Sequence, residues 1–307
     1  MAQTADDVSV VITCFDQGDL LEDAVRSART QTLRPRHVLV VDDGSRDPRT
    51  RRCLEGLRRD GVDVIHQANA GVSAARNTGL RRVDSPFVVF LDGDDRLLPD
   101  FVRVTRGMLL ADRGMVAASG WMRTCGVLDS LVTPHGGDLS AFLCANSCPA
   151  DCMMRTADAR SAGGYDETMR HGYEDWNFFL TLLETDSRVP GRAPHIAVAP
   201  EPLILYRTSP VSSNVLSMNG RLDRLREIMR RHHAAYEDHL EDVVLGLEAA
   251  SMRRLELWER TVLEIPGAGE RSEASAGFLL GPSYGDGGMA SAVRIAAELS
   301  ARTRKGA

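Results

Sequence analysis

Residues 86–95 read Pro86-Phe-Val-Val-Phe-Leu-Asp92-Gly93-Asp94-Asp95, or PFVVFLDGDD. The apolar run to Leu91 is short, β-branched and aromatic, the pattern of a buried strand. It delivers three carboxylates on four consecutive positions. Like charges this close repel, and packing alone gives no reason to gather them. A hard-oxygen cluster at a strand end suits Mg²⁺ or Mn²⁺. A solvated acidic turn is the bland alternative, because Asp and Gly are common turn residues. The stretch by itself does not separate the two.

Working outward, the same rhythm repeats. Val8 to Ile12 reads as a buried strand, followed by a helix from Gly18-Asp19 with Leu20, Leu21, Ala24, Val25 and Ala28 on one face. His37 to Val41 is a second strand, ending in Asp42-Asp43-Gly44-Ser45. Asp47-Pro48 makes an N-cap and first-turn pair for the next helix. Val62 to Ile65 is a third strand. A helix opens at Ser73 and carries Arg76 and Asn77, and another begins at Pro99. Strand and helix alternating in this way predict an α/β fold with a mostly parallel sheet covered on both faces. Ligands of such sheets bind beyond the carboxyl ends of the strands. Thr13-Cys14-Phe15, Asp42-Asp43 and Asp92 to Asp95 all fall at those ends.

The second half is more irregular. Glu174-Asp175-Trp176 leads into an apolar helix with Phe178, Phe179, Leu180, Leu182 and Leu183, and Pro200 to Tyr206 is extended. Beyond Ser217 the composition turns to helix formers, with Leu222, Leu225, Ile228 and Met229 at helical spacing. Gly267 to Gly288 reads as a loop. The expected organisation is one domain over 1–215, in two halves at 1–105 and 106–215. A helical C-terminal extension over 216–307 follows.

Composition bounds the function. The chain has 307 residues and a net charge of −6, which argues against a general nucleic-acid binder. No apolar run approaches a membrane span, and the start lacks a signal-peptide pattern, so a cytoplasmic protein is expected. Lys305 is the only lysine among 37 basic residues. That excludes a P-loop and a haloacid dehalogenase-type phosphatase, which both need a core lysine. No Gly-x-Gly-x-x-Gly follows the first strand, which excludes a dinucleotide dehydrogenase. Cys144, Cys148 and Cys152 are spaced too widely for a zinc site, and Pro149 interrupts any shared helix. A structural or pocket-lining role is expected for them.

Five blocks then carry a resemblance: VSVVITCFDQGDLLEDAVRSARTQT, VLVVDDGSRD, NAGVSAARNTGL, FLDGDD, and GGYDE with YEDWNF. In this order and spacing, over Val8 to Arg207, the chain resembles a family 2 glycosyltransferase with the GT-A fold. The resemblance implies an inverting transferase that uses a nucleotide-diphosphate sugar, with UDP favoured, and Mn²⁺ or Mg²⁺, with 1–215 as its catalytic domain, 1–105 the nucleotide-binding half and 106–215 the acceptor-binding half. Thr13, Phe15, Asp42 and Asp43 would lie at the nucleotide base, and Arg76, Gly93 and Arg207 near the diphosphate. Asp92 and Asp94 form the Asp-x-Asp element, with Asp95 a further metal ligand. Asp175 matches the base position and Glu174 stands beside it as an alternative. A histidine that many relatives carry after Tyr-Arg is absent from Tyr206-Arg207-Thr208-Ser209. Processive synthases add a Gln-x-x-Arg-Trp motif that this chain lacks, which implies a non-processive enzyme acting on a small-molecule, glycan or peptide acceptor. A nucleotidyltransferase-like or non-catalytic sugar-nucleotide binder is the rival class. The helical extension could serve as an acceptor lid, a homodimer interface or a membrane-surface helix. Its mixed charge, Arg230-Arg231 followed by Glu237, Asp238, Glu241 and Asp242, favours a solvated or partner face.

Overall fold

The computed structural model describes residues 3–187, 191–263 and 278–305. Its centre is a ten-stranded mixed sheet. The first strands are β1 (Gln3–Cys14), β2 (Leu33–Asp42), β3 (Asp63–His66) and β4 (Phe87–Asp92). They pair in parallel in the order β3-β2-β1-β4. The centre of this block is dry: Val8, Val10, Val11, Ile12 and Val88 to Leu91 are buried. The sheet continues through β9 (Cys152–Arg155), β6 (Met115–Gly126), β10 (His195–Thr208) and β5 (Arg96–Leu97). Short β7 (Leu131–Val132) and β8 (Gly136–Gly137) pair β6 and β10. β9 runs antiparallel to both β4 and β6, so the second half is mixed where the first is parallel.

Helices cover both faces. One face carries α1 (Leu20–Arg29), α2 (Pro48–Arg59) and α4 (Phe101–Ala111). Asp47 caps α2 as its sequence predicts, accepting from the Thr50 backbone N–H. The other face carries α3 (Val72–Arg82), α5 (Leu139–Cys144), α6 (Thr156–Ser161) and α7 (Glu174–Ser187). α3 lies close on β1 because Gly79 faces Val11; a Cβ there would come within 2.2 Å of Val11 Cγ1. That contact sets the depth to which Arg76 enters the molecule.

The rest of the chain is α8 (Ser213–Ser217), α9 (Arg221–Arg231), α10 (His233–Asp238), α11 (Leu240–Leu263) and α12 (Gly288–Lys305). The periodicity in α9 is real but its face is only partly used: Ile228 is buried while Leu222 and Met229 are exposed. α11 docks on α5, where Gly246 meets Cys144 Sγ. α12 packs Ala290, Ala292 and Val293 against Leu128 and Val215. The three clustered cysteines part ways: Cys144 ends α5, Cys148 is buried in the following loop, and Cys152 starts β9. Of the expected 267–288 loop, residues 267–277 lie outside the described residues.

Candidate active site

Register assembles the site from distant sequence. Thr13 of β1 stands opposite Asp92 of β4, and Cys14 opposite Asp42 of β2. The Thr13 hydroxyl donates to Asp92 Oδ1 at 3.1 Å. After Asp92 the chain turns sharply, with Gly93 N–H on Thr13 O and Asp95 N–H on Asp92 O. A Cβ on Gly93 would stand 2.6 Å from Thr13 O and 2.5 Å from Gln17 Oε1, so only glycine fits.

The three carboxylates of this turn diverge. Asp94 is half-buried; burial and then the Asp92 charge push it up to about 6, against the opposing cation of Arg207. Asp95 turns inward and accepts the Arg207 backbone N–H at 2.6 Å. There it meets Asp151, which sequence reasoning missed. Asp151 accepts the Asp92 N–H at 2.9 Å and brings a carboxylate oxygen within 4.8 Å of one on Asp95. Burial, then the Asp92 charge, raises Asp151 to about 7; burial and the Asp151 charge hold Asp95 well above the carboxylate range. Carboxylate oxygens of Asp92, Asp95 and Asp151 lie within 4.8 Å of one another. This all-oxygen donor set, whose burial and mutual repulsion disfavour the ionised form, fits a hard divalent cation. Asp151 is hard to see in the sequence because it follows the irregular stretch Asn146-Ser-Cys-Pro-Ala and no strand pattern announces it.

Arg76 is 1% exposed and ties the two ends of the site together. One amino group donates to Asp92 Oδ1 at 2.8 Å, the other to Glu174 Oε1 at 3.2 Å, and the guanidinium lies 5.1 Å from the Tyr165 ring centre. Burial opposes the charge, yet Asp92 and Glu174 hold its pKa well above the ordinary arginine value. Glu174 is therefore committed to an ion pair. Asp175, its neighbour, accepts only neutral donors among the described residues: Asn146 Nδ2 at 2.9 Å and the Trp176 N–H at 2.7 Å. Burial, then the Glu174 charge, raises Asp175 to about 6. Trp176 is in the core, its indole N–H on Phe142 O. Just before α7, Tyr173 adopts φ +70, a left-handed backbone uncommon for a bulky residue and concentrated at functional sites.

Arg76, Asp92, Glu174 and Asp175 line one cavity of about 160 Å³, together with Asn146, Asp151 and Tyr173. The remaining predicted residues sit along the strand ends outside that lining. Asp42 accepts the Ser45 N–H and pairs with His66 Nδ1 at 3.0 Å. Asp43 is fully engaged, taking the N–H groups of Ala70 and Gly71 and the amide of Gln67, all at 2.8 Å. Phe15 is 46% exposed beyond β1, and Arg207 leaves a buried Nε with no partner among the described residues.

A strand-end crevice with an acidic turn on one wall and a helix-borne carboxylate on the other defines the GT-A class of nucleotide-sugar transferase folds. The S. aureus protein solved as TarS 1-349 in complex with UDP-GlcNAc superimposes with a TM-score of 0.53 at 16% identity, covering 78% of this chain and 79% of that one. Residues 9–135 match the sequence model of glycosyl transferase family 2, so this part of the chain belongs to that family. The succinoglycan biosynthesis protein ExoW of Rhizobium meliloti is 44% identical over 99 residues, 30% of this chain and 31% of ExoW. The pre-mycofactocin glycosyltransferase of Mycobacterium tuberculosis is 32% identical over 202 residues, 60% of this chain and 40% of that protein. The chain thus spans less than half the length of these curated relatives. Among the described residues, no helix is long and apolar enough to cross a membrane.

Proposed function

We propose that this protein is an inverting, metal-dependent, non-processive glycosyltransferase. It moves a sugar from a nucleotide-diphosphate sugar, with UDP as the nucleotide, to a hydroxyl of a small-molecule, glycan or peptide acceptor. The observation that carries this reading is Asp175: a half-buried carboxylate, without an ion-pair partner among the described residues, raised to about 6 and facing the same cavity as Asp92. A general base needs a pKa near the working pH and a proton within reach. The acceptor oxygen attacks the anomeric carbon from the face opposite the leaving group. Asp175 takes the hydroxyl proton, and the bond from carbon to the diphosphate oxygen breaks with its electron pair leaving on the diphosphate.

Asp92 with Asp94, or Asp92 with Asp95 and Asp151, would hold Mn²⁺ or Mg²⁺. When bound, such an ion supplies positive charge against the departing diphosphate. Arg207, beside Asp94, adds a fixed cation there. Arg76 holds Asp92 and Glu174 in register, and Thr13 orients Asp92. Phe15 offers an aromatic face to the base, while Asp42 and Asp43 shape the loop beneath it. The UDP and UDP-GlcNAc complexes of the structural neighbour support UDP as the nucleotide. Six unpaired cysteines favour a cytoplasmic setting. Exposed Leu240, Val244, Leu245 and Leu247 on α11 support a homodimer through the C-terminal helices, which a single-protomer mass in light scattering would reject.

The deciding experiment incubates the protein with a panel of UDP- and GDP-sugars and Mn²⁺, measuring nucleotide release and, by calorimetry, nucleotide binding. Release from a UDP-sugar, lost on chelation, is expected. UDP binding with no release from any donor would make the protein a sugar-nucleotide binder instead.

A further inference from the structure

The cavity that holds Asp175 is closed on its far side by the C-terminal part of the chain, through Met218, Arg221, Tyr284, Gly285, Gly287, Met289 and Ala290. This is a built contact. Arg221 donates from one amino group to the Tyr173 hydroxyl at 2.9 Å and from the other to Gly285 O at 3.5 Å. Tyr284 donates its hydroxyl to Cys148 O at 3.2 Å. Gly285 has φ +79, and a Cβ on it would stand 2.1 Å from Asn146 O. Asn146 is the residue that donates to Asp175. Gly287, at φ +97, would bring a Cβ to 2.5 Å from Met218 Cε. Asp286 fixes the turn between them, accepting from Ser283 Oγ and Gly288 N–H at 2.8 Å and pairing with Arg254 of α11 at 3.2 Å. The sequence Ser283-Tyr284-Gly285-Asp286-Gly287-Gly288 thus lets the backbone at Gly285 pass closer to the Asn146 loop than any side chain permits.

We infer that residues 283–290, pinned by Arg221, are the acceptor-side wall of the active site and limit the attacking group to a single polyol or sugar-ring-sized unit. This rests on Asp175 being the base. The enclosed space of about 160 Å³ is well below the roughly 300–1,000 Å³ of sites that hold drug-sized ligands. Its lining combines the aromatic side chains of Tyr173, Tyr206 and Tyr284 with the polar side chains of Asn146, Asn214 and Arg221. Apolar faces interleaved with hydrogen-bonding groups match a polyol, which presents C–H faces and hydroxyls together. The acceptor therefore enters end-on with a terminal unit, and an internal position of a polymer is shut out. Arg221 and Tyr284 act on specificity by position and take no part in the proton transfer.

The test uses the full chain, with UDP as the binding probe and, as donor, the sugar nucleotide that it turns over. Free monosaccharides, small polyols and the corresponding tri- to pentasaccharides serve as acceptors. Tyr284→Ala and Arg221→Met are compared with Arg221→Lys, each checked for folding by circular dichroism. Expected for Tyr284→Ala and Arg221→Met are unchanged UDP affinity, donor hydrolysis by water raised about fivefold or more, and a higher KM for the small acceptors. Longer acceptors gain relative to short ones, and Arg221→Lys falls between. In the wild type, backbone amides 283–290 gain hydrogen-exchange protection with UDP and a turned-over acceptor present, a readout that stands if a variant fails to fold. Folded variants with wild-type hydrolysis and acceptor profile, or a wall whose exchange ignores the acceptor, overturn the inference while leaving the transferase reading intact. Absence of UDP binding by the wild type removes both.

Discussion

Asp42-Asp43 at the end of β2 and Glu174-Asp175 at the start of α7 are both pairs of adjacent acids beside the same crevice, and their surroundings set them apart. Asp42 and Asp43 receive backbone N–H groups, an amide and an imidazole. Their oxygens are spent on the loops that lead from β2 and into α3. In the second pair Arg76 claims Glu174, and Asp175 is left with neutral donors beside a like charge. Two acids in a row are the same sign in a sequence. Whether they build a loop or stay available for proton transfer depends on which cation arrives, and here that cation is one buried arginine.

The comparison breaks most directly at Asp175. Asp175→Asn keeps the shape and the Asn146 contact but removes the proton acceptor. Transfer should fall by about 10²–10⁴-fold, the span a positioned base contributes, with UDP affinity within twofold of wild type by calorimetry. Retained transfer would move the base to Glu174 or elsewhere.

Arg76→Met comes next. It leaves Asp92 and Glu174 facing the interior without their cation. Removing one partner of a buried ion pair costs about 3–5 kcal/mol, with Asp92 itself only partly shielded from water. Urea unfolding should show a loss of that order, and transfer should fall with it because the acidic turn and α7 lose their common tether. A stability change under about 1 kcal/mol would mean that water, not Arg76, balances those acids.

Much of this arrangement was legible before any coordinates. The strand-end placement of Thr13, Asp42 and Asp92 follows from short continuous apolar runs and short connections, and the register confirms it residue by residue. The Asp47-Pro48 cap and the apolar α7 were equally plain. What the sequence hid were contacts whose partners are far apart and locally unremarkable. Asp151 reaches the acidic turn because β9 inserts antiparallel between β4 and β6, a topology that no local pattern encodes. Asn146 lies in an irregular loop. Tyr284 and Gly285 lie more than a hundred residues beyond Asp175 in what reads as a loop, and the proposed division at residue 215 places them outside the catalytic unit whose cavity they line. The run of glycines from 285 to 288 was the available signal, since glycine marks close backbone approach as well as flexibility.

Asp43→Ala probes the first pair alone. It leaves the N–H groups of Ala70 and Gly71 and the Gln67 amide without their acceptor. Unmet donors in a part-buried loop cost about 1–3 kcal/mol. A fall of several degrees in Tm is expected, with Asp43→Asn recovering part of it. An unchanged Tm would show that the loop before α3 is held by its other contacts, among them the Asn69 amide on Asp43 O.

The finest test is the pH profile, because it reads the electrostatic difference between the pairs. Asp175 must be ionised to accept a proton, and it titrates near about 6. As pH falls through that value the protonated fraction grows, so kcat should decline on the acid side with an apparent pKa near about 6, approaching tenfold per pH unit well below it. Burial contributes most of the rise and the Glu174 charge comes next. Glu174→Gln removes that charge and frees Arg76 from one of its two carboxylates, and both changes favour the ionised form of Asp175. The acid limb should therefore move to lower pH, while the maximum rate changes by less than tenfold. A limb that stays in place would show that burial alone tunes Asp175.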